Sequence, residues 1–352
     1  MSDYRILINL YDVIEIKNGY SKLFIIEGKS MNEEKNISKR ILTSFSRLDY
    51  TFDVYENYPL IYNKLKGLIP KTETSFRDFE LNTCIGCEMI CAAICHSMNW
   101  DFLRKTVKKK TISNPTWLLP ENLSKIMTKD VEELLIGYEK KERIRALERS
   151  KLLADIGKRL LNQNKFFIDL FFFSSILRSY DDIRNHIKQF DAFSEDPAEK
   201  KFRLLIQCVS DYEPLSSLSE YYEPTIDYHI TRMYVRRGVV IPVKQEAVNF
   251  ILNEEIVRKE STVGALRTVC AESMNYISWL TQIDVKTISR IEWWVARTIC
   301  VNDNPDCILK GEEAKWVRER YNKCPFYNIC NARKEENGFL KIDEPKYGGK
   351  SY

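Results

Sequence analysis

The sequence predicts a mainly α protein with a small β-containing extension at its N-terminus. Three observations predict it. From about residue 34 onward apolar residues recur at helical spacing, most clearly over 141–163, where Ile144, Leu147, Leu152, Leu153, Ile156 and Leu160 repeat at that period. Strand-like apolar runs around a turn pair occur only in the first thirty residues. With 352 residues, 44% hydrophobic and 30% charged, the chain can bury a sizeable core and hold two or three structural units.

In chain order, Ile6–Leu10 and Leu23–Ile26 flank Asn18-Gly19, a pair suited to the positive φ angles of a tight hairpin. Residues 78–110 read as one or two helices. Pro115 and Pro120 interrupt the chain before a helical run over 121–138, and the long helix over 141–163 follows. Residues 181–190 and 199–209 form a helix pair, and the Tyr-rich stretch 216–224 is a connection. Apart from the N-terminal hairpin, the expectation is all-helical.

Net charge is only +4, so global electrostatics neither demands nor excludes a nucleic-acid partner. Two stretches, Lys105–Lys110 and Lys140–Lys151, are basic enough to meet phosphates or to form solvated helix faces. The longest apolar run, Phe166–Phe173, carries Asp169 and is far short of the roughly 18 residues a membrane span needs. The N-terminus lacks a signal-peptide pattern. Ten cysteines without such a signal fit a reducing, cytoplasmic setting and metal binding rather than disulfides. Cys84, Cys87, Cys91 and Cys95 recur at gaps of three and four, the spacing of one buried helix face; a second metal site is the alternative.

Cys300, Cys307, Cys324 and Cys330 form two local pairs, C-x6-C and C-x5-C, separated by sixteen residues. Four soft thiolates suit an iron–sulfur cluster or a zinc ion, and both spacings exceed the short knuckles typical of structural zinc. Ahead of them lies Ile226-Asp227-Tyr228-His229-Ile230-Thr231-Arg232-Met233-Tyr234-Val235-Arg236-Arg237-Gly238. Aspartate at the start of a helix caps it well.

This segment resembles the V-D-T-H-V-x-R-V-x-x-R-x-G signature of helix-hairpin-helix (HhH-GPD) DNA glycosylases. It matches at Asp227, His229, Arg232, Arg236 and Gly238, with Tyr228 in place of threonine. The cysteines resemble the C-x6-C-x2-C-x5-C loop of that superfamily's iron–sulfur branch, the endonuclease III and MutY type, with a longer central gap. The resemblance covers roughly residues 80–335. It implies a two-lobed helical fold, a [4Fe-4S] cluster on the four cysteines that holds the loop, and Asp227 as the catalytic carboxylate. His229, Arg232 and Arg236 are expected to pack and form salt bridges. His96, Asn99 and Trp100 fall where the family lines its base pocket, with Tyr228 as a further substrate contact, although His96 and Trp100 are equally ordinary core residues.

The family's glycine-rich hairpin is missing. Its place, residues 190–202, holds no glycine and four acidic residues. Glu195, Asp196 and Glu199 should oppose a phosphate, with Lys200 and Lys201 offsetting them. No lysine stands where a sugar-attacking nucleophile is expected, so water is the expected nucleophile. The expected organisation is an extension over 1–78, a glycosylase-like region over 79–335 and a polar tail over 336–352. The expected function is removal of a modified or damaged base from DNA by a monomer without membrane contact. The alternatives are a glycosidase of free modified nucleosides, nucleotides or RNA bases, and a non-catalytic iron–sulfur nucleic-acid-binding protein.

Overall fold

The computed structural model describes residues 11–14, 23–26, 45–47, 52–70, 74–194, 199–242, 260–302 and 304–334. Helices dominate them, and the mainly α expectation holds. The chain divides into two compact units, one drawn from Met1–Pro70 and Glu223–Gly348, the other from Lys71–Tyr222. The helix Phe52–Leu65, within the stretch read as an extension, thus belongs to the same unit as the Asp227 segment and the four late cysteines.

Among the described residues three two-stranded ladders interrupt the helices, two of them beyond the N-terminal hairpin that alone was expected. β1 (Tyr11–Ile14) pairs antiparallel with β2 (Leu23–Ile26), Tyr11 opposite Ile26 and Ile14 opposite Leu23. The hairpin is therefore present, with Tyr11–Ile14 as its first strand; Ile6–Leu10 and Asn18-Gly19 lie outside the described residues. β3 (Phe45–Arg47) is followed by α1 (Phe52–Leu65) and pairs with a strand far along the chain, described below.

The Lys71–Tyr222 unit is built around α2 (Leu81–Ile94), which is packed on by α3 (Trp100–Ser113), α4 (Ala146–Asn162) and a later helix, Lys200–Val209. From Cys84 to Ile94 every residue of α2 is buried, so it is apolar all round, as a central helix must be. Cys84, Cys87, Cys91 and Cys95 are core residues, which agrees with the packing reading; burial pushes the Cys87 thiol up to about 12. Glu88 is the one charged side chain on this stretch. Arg104 from α3 meets it as a fork, one arm at 2.9 Å, and the Tyr212 hydroxyl donates to it at 2.8 Å. A buried carboxylate needs such partners.

Helix α4 begins at Ala146, five residues later than the sequence suggests, because Arg145 sits in the left-handed region (φ 45°) after a short 3-10 turn. Gly157 lets α4 approach a neighbouring turn: a Cβ there would lie 2.2 Å from the Ser124 nitrogen. The helical run expected over 121–138 is broken into two short helices, Pro120–Leu123 and Thr128–Leu134. A further ladder, β4 (Phe172–Phe173) with β5 (Ile176–Leu177), turns through Ser174 and Ser175, both at positive φ. α5 (Tyr180–Ile187) is capped by Ser179, and α6 (Lys200–Val209) completes the expected pair.

In the other unit, α7 (Tyr228–Arg237) runs into β6 (Val240–Pro242), the partner of β3. α8 (Glu260–Thr281) and α9 (Val285–Thr298) follow, and α7 packs on both. α9 is capped by Asp284, whose carboxylate accepts from the Thr287 N–H at 2.8 Å. The second core gathers Tyr58, Tyr62, Ile230, Met233, Cys270 and Ile291, together with Phe326 from between the last two cysteines. No helix among the described residues is long and apolar enough to cross a membrane.

Candidate functional site

Local chemistry sets both ends of α7. Asp227 has extended backbone and its carboxylate accepts from the Ile230 N–H at 3.0 Å, while Thr231 donates its hydroxyl to the Asp227 carbonyl at 2.9 Å. Asp227 is buried, at 9% exposure, and stands at the positive end of the helix dipole. Tyr228 and His229 follow with ring centroids 4.2 Å apart, both half-buried. At the far end Gly238 adopts φ 77°, and a Cβ on it would lie 2.1 Å from the Asn331 amide nitrogen. Glycine is required twice here, by the left-handed turn and by the residue that follows Cys330.

Between these ends, α7 places three buried arginines against the cysteine loop. Arg232 donates Nε and Nη2 to the Cys300 carbonyl at 3.1 and 2.7 Å, and Nη2 to the Ala296 carbonyl at 2.9 Å. Arg236 donates to the carbonyls of Val301 at 2.6 Å and Asn302 at 2.7 Å, and its Nη1 lies 3.8 Å from the Cys300 sulfur. Both guanidinium groups are thus tied to backbone carbonyls at the start of the loop.

Arg237 has a different partner set. It donates to Glu292 at 2.6 Å, to the Tyr58 hydroxyl at 2.9 Å and to the Tyr62 hydroxyl at 3.2 Å. Its guanidinium carbon sits 3.7 Å from the centre of the Phe326 ring. Tyr234 and Tyr62 both donate to Glu292, so this carboxylate is shared among three partners in a buried network. Burial pushes the Tyr58 and Tyr62 hydroxyls up, Arg237 partly opposing it. Sequence reading missed this cluster. The signals were an arginine beside Arg236 on an otherwise apolar face and a glutamate within the apolar repeat of α9.

The four cysteines are brought together. The Cys324 N–H donates to the Cys307 carbonyl at 2.9 Å, and the Cys330 sulfur lies 3.6 Å from the Arg236 carbonyl. Burial is the main influence raising the thiols of Cys307, Cys324 and Cys330; Cys300 adds to it for each, and Cys330 is pushed up to about 11. All six pairs among the four sulfurs are close enough to influence one another. Arg236 and Arg333 oppose the rise at Cys307, and Arg237 does so at Cys330. Among the described residues no group of three or more His, Cys, Asp or Glu stands where it could hold a metal ion. Tetrahedral zinc would need sulfurs about 3.8 Å apart, given a Zn–S bond of about 2.3 Å.

The other expected site residues lie in the Lys71–Tyr222 unit. His96 is fully buried and is held neutral: burial lowers its pKa to about 3, against the opposing effect of Glu148. Its Nε2 lies 3.1 Å from Glu148 Oε1, but off the line a hydrogen bond needs. Arg149, from the second basic stretch, is also fully buried, holding the carbonyls of Ile94, His96, Arg143 and Ile144. Asn99 is exposed and caps α3, accepting from the Asp101 and Phe102 N–H groups at 3.0 and 3.1 Å. Trp100 is half-buried with the Arg104 guanidinium 5.3 Å from its ring centre.

Lys200 and Lys201 are buried, not presented to solvent as a phosphate contact requires. Lys201 donates to the Ala93 carbonyl at 2.6 Å, because α6 packs on the C-terminal end of α2. Glu199 does not stand as a bare charge either. It is clasped by Arg184 and by Lys188 at 2.7 Å, and although burial alone would raise its pKa, these hydrogen bonds bring it below the ordinary value. Glu195 and Asp196 lie outside the described residues. No protein-family model matches the chain, and no curated protein is similar enough to match it.

Two outcomes follow. Arg237→Met leaves Glu292 buried without its cation, and should cost roughly 3–5 kcal/mol in urea unfolding. Arg237→Met with Glu292→Met should cost clearly less, and equal costs would show that the charges are not paired. For His96, the unfolded chain takes up a proton below about pH 6.5 that the folded chain refuses. Its contribution is therefore complete above that pH and is lost as pH falls towards about 3, at a slope approaching ~1.4 kcal/mol per pH unit. Between about pH 7 and 5 the thermal midpoint should fall further in wild type than in His96→Gln. Parallel curves would mean that His96 takes up its proton within the fold.

Proposed function

We propose that this protein is an N-glycosidase of the iron–sulfur helix-hairpin-helix type that removes a modified or damaged base from nucleic acid. The observation that carries the reading is the joining of the two resembling segments: α7, capped by Asp227, holds the start of the cysteine loop through Arg232 and Arg236. Two motifs 60 or more residues apart in sequence are one physical assembly. Cys300, Cys307, Cys324 and Cys330 would hold a [4Fe-4S] cluster, which cross-links the loop and performs no redox step.

In the reaction the bond between the sugar C1′ and the base nitrogen breaks, and the base leaves with the electron pair and gains a proton. Water adds to C1′ and loses a proton. Positive charge accumulates on the sugar between these events, and Asp227 is the group that stabilises it. The Ile230 N–H holds its carboxylate in one orientation at the positive end of the helix dipole. The hydrogen bond from Lys201 to the Ala93 carbonyl supports water over lysine as the nucleophile. Burial of Lys200 and Lys201 also favours a second reading, a free modified nucleoside or nucleotide as substrate, because the turn before α6 then needs no phosphate contact.

Asp227→Asn should keep the fold and slow base release by about 10²–10⁴-fold in single-turnover assays over modified oligonucleotides and nucleosides. An unchanged rate would remove Asp227 from the mechanism. Protein purified without oxygen should be brown and contain iron and sulfide, both lost in Cys324→Ser. Colourless protein with stoichiometric zinc would overturn the cluster while leaving a four-cysteine site.

A further inference from the structure

The C-terminal end of α2 is held by cations from two neighbouring helices. Lys201 of α6 donates to the Ala93 carbonyl at 2.6 Å, and Arg149 of α4 donates to the carbonyls of Ile94 and His96. The end of a helix carries partial negative charge and unsatisfied carbonyls, so a buried cation suits it. With its remaining donors Arg149 takes the carbonyls of Arg143 and Ile144, just ahead of α4. One fully buried guanidinium thus ties the segment after α2 to the segment before α4.

Both tied segments turn through a residue other than glycine in the left-handed region. Ser97 beside His96 has φ 53°, and Arg145 beside Ile144 has φ 45°. Such backbone costs free energy and persists only where its surroundings enforce it. The clamp supplies that enforcement on both sides, and its release would let both joints relax.

His96 lies inside the clamp. It is wholly buried, and neither ring nitrogen has a hydrogen-bond partner among the described residues. Buried polar atoms are nearly always paired, which makes this ring the weak point of the junction. Several groups face it. From α4 come Arg149 and Glu148, whose Oε1 lies 3.1 Å from the His96 Nε2 and which also pairs with Arg145. From α6 comes Lys201. The Cys95 thiol and the Tyr138 hydroxyl stand near Arg149. Burial is the largest influence against a proton on His96; Lys201 and Arg149 act with it, and Glu148 acts against them, leaving the pKa at about 3. Opening the clamp would bring the same ring into water, where its ordinary pKa is about 6.5.

We propose that the Arg149 clamp is an acid-sensitive latch, in which a proton on His96 holds open the junction between the end of α2 and the start of α4 while the rest of the Lys71–Tyr222 unit stays folded. The closed latch excludes the proton and the open latch takes it up. His96 therefore favours closure fully above about pH 6.5, and that contribution is lost as pH falls towards about 3. The segment released is the connection into α3, which carries Asn99 and Trp100. The latch is independent of the glycosidase reading.

The test is amide hydrogen exchange on the full-length protein at about pH 7 and pH 5, corrected for the intrinsic rate and read in peptides covering 95–99 and 145–149. These contain hydrogen-bonded amides, Asn99 to the Tyr138 hydroxyl and Arg149 to the Arg145 carbonyl. At both pH values they should exchange faster than the middle of α2, because the latch opens without unfolding the unit. Between about pH 7 and 5 their opening should rise roughly 25-fold, the factor that pKa values of about 6.5 open and about 3 closed give. His96→Gln should abolish that rise, and His186→Gln should keep it. Should His96→Gln fail to fold, NMR of the wild-type His96 ring reads the same group, which should stay neutral in the closed protein down to about pH 5. Exchange that is equal at the two pH values, or a rise that persists in His96→Gln, would overturn the proposal. So would peptides that exchange only as slowly as the middle of α2, or a ring that gains its proton near pH 6.5 while these peptides stay protected.

Discussion

The cysteine loop depends on three arginines buried on one ten-residue helix. A guanidinium out of water must find acceptors for its donors, and on α7 each finds them in a different part of the same unit. Arg232 takes the carbonyls at the end of α9, Arg236 those just after Cys300, and Arg237 takes Glu292, two tyrosines of α1 and the face of Phe326. None of these positions can move without leaving a buried charge uncompensated. The helix is thereby locked to the loop at both of its ends, through the Cys300 carbonyl and through Phe326 beside Cys324. Gly238 lets Asn331, next to Cys330, come close enough to complete the enclosure.

This arrangement gives the four thiols cationic surroundings without giving them a cationic ligand. Arg236, Arg237 and Arg333 reduce the cost of charging the sulfurs, while burial raises it. The Lys71–Tyr222 unit solves the opposite problem. Its central helix is sealed from water, so the cysteines on it stay neutral and act as small apolar side chains, and the one carboxylate there is held by Arg104 and Tyr212.

Burial also redistributes roles among residues that look alike in sequence. Lys200 and Lys201 are adjacent to an acidic turn, yet packing of α6 on α2 draws both ammonium groups inward. Arg149 sits in a basic stretch but serves as a clamp for four carbonyls at the start of α4. Lys105 and Lys109, in the other basic stretch, keep their exposure because α3 turns its opposite face, with Leu103, Arg104 and Val107, to the core. A run of positive charge stays at the surface only where the helix carrying it has another face to bury.

The sequence by itself determined what local chemistry governs. A mainly helical chain, a hairpin near its start, Asp227 as a helix cap and the buried cysteine face of α2 all follow from spacing, caps and turn residues within a few positions of one another. Only the tertiary structure decided the partners of the arginines. Arg237 reaches Tyr58 across 179 residues and Glu292 across 55, and no periodicity encodes which carboxylate or hydroxyl a buried guanidinium will meet. The meeting of Cys300 with Cys324 and Cys330 belongs to the same class. The spacing supplied the thiols, but their convergence requires the loop to be drawn back onto α7, and the buried arginines supply that constraint.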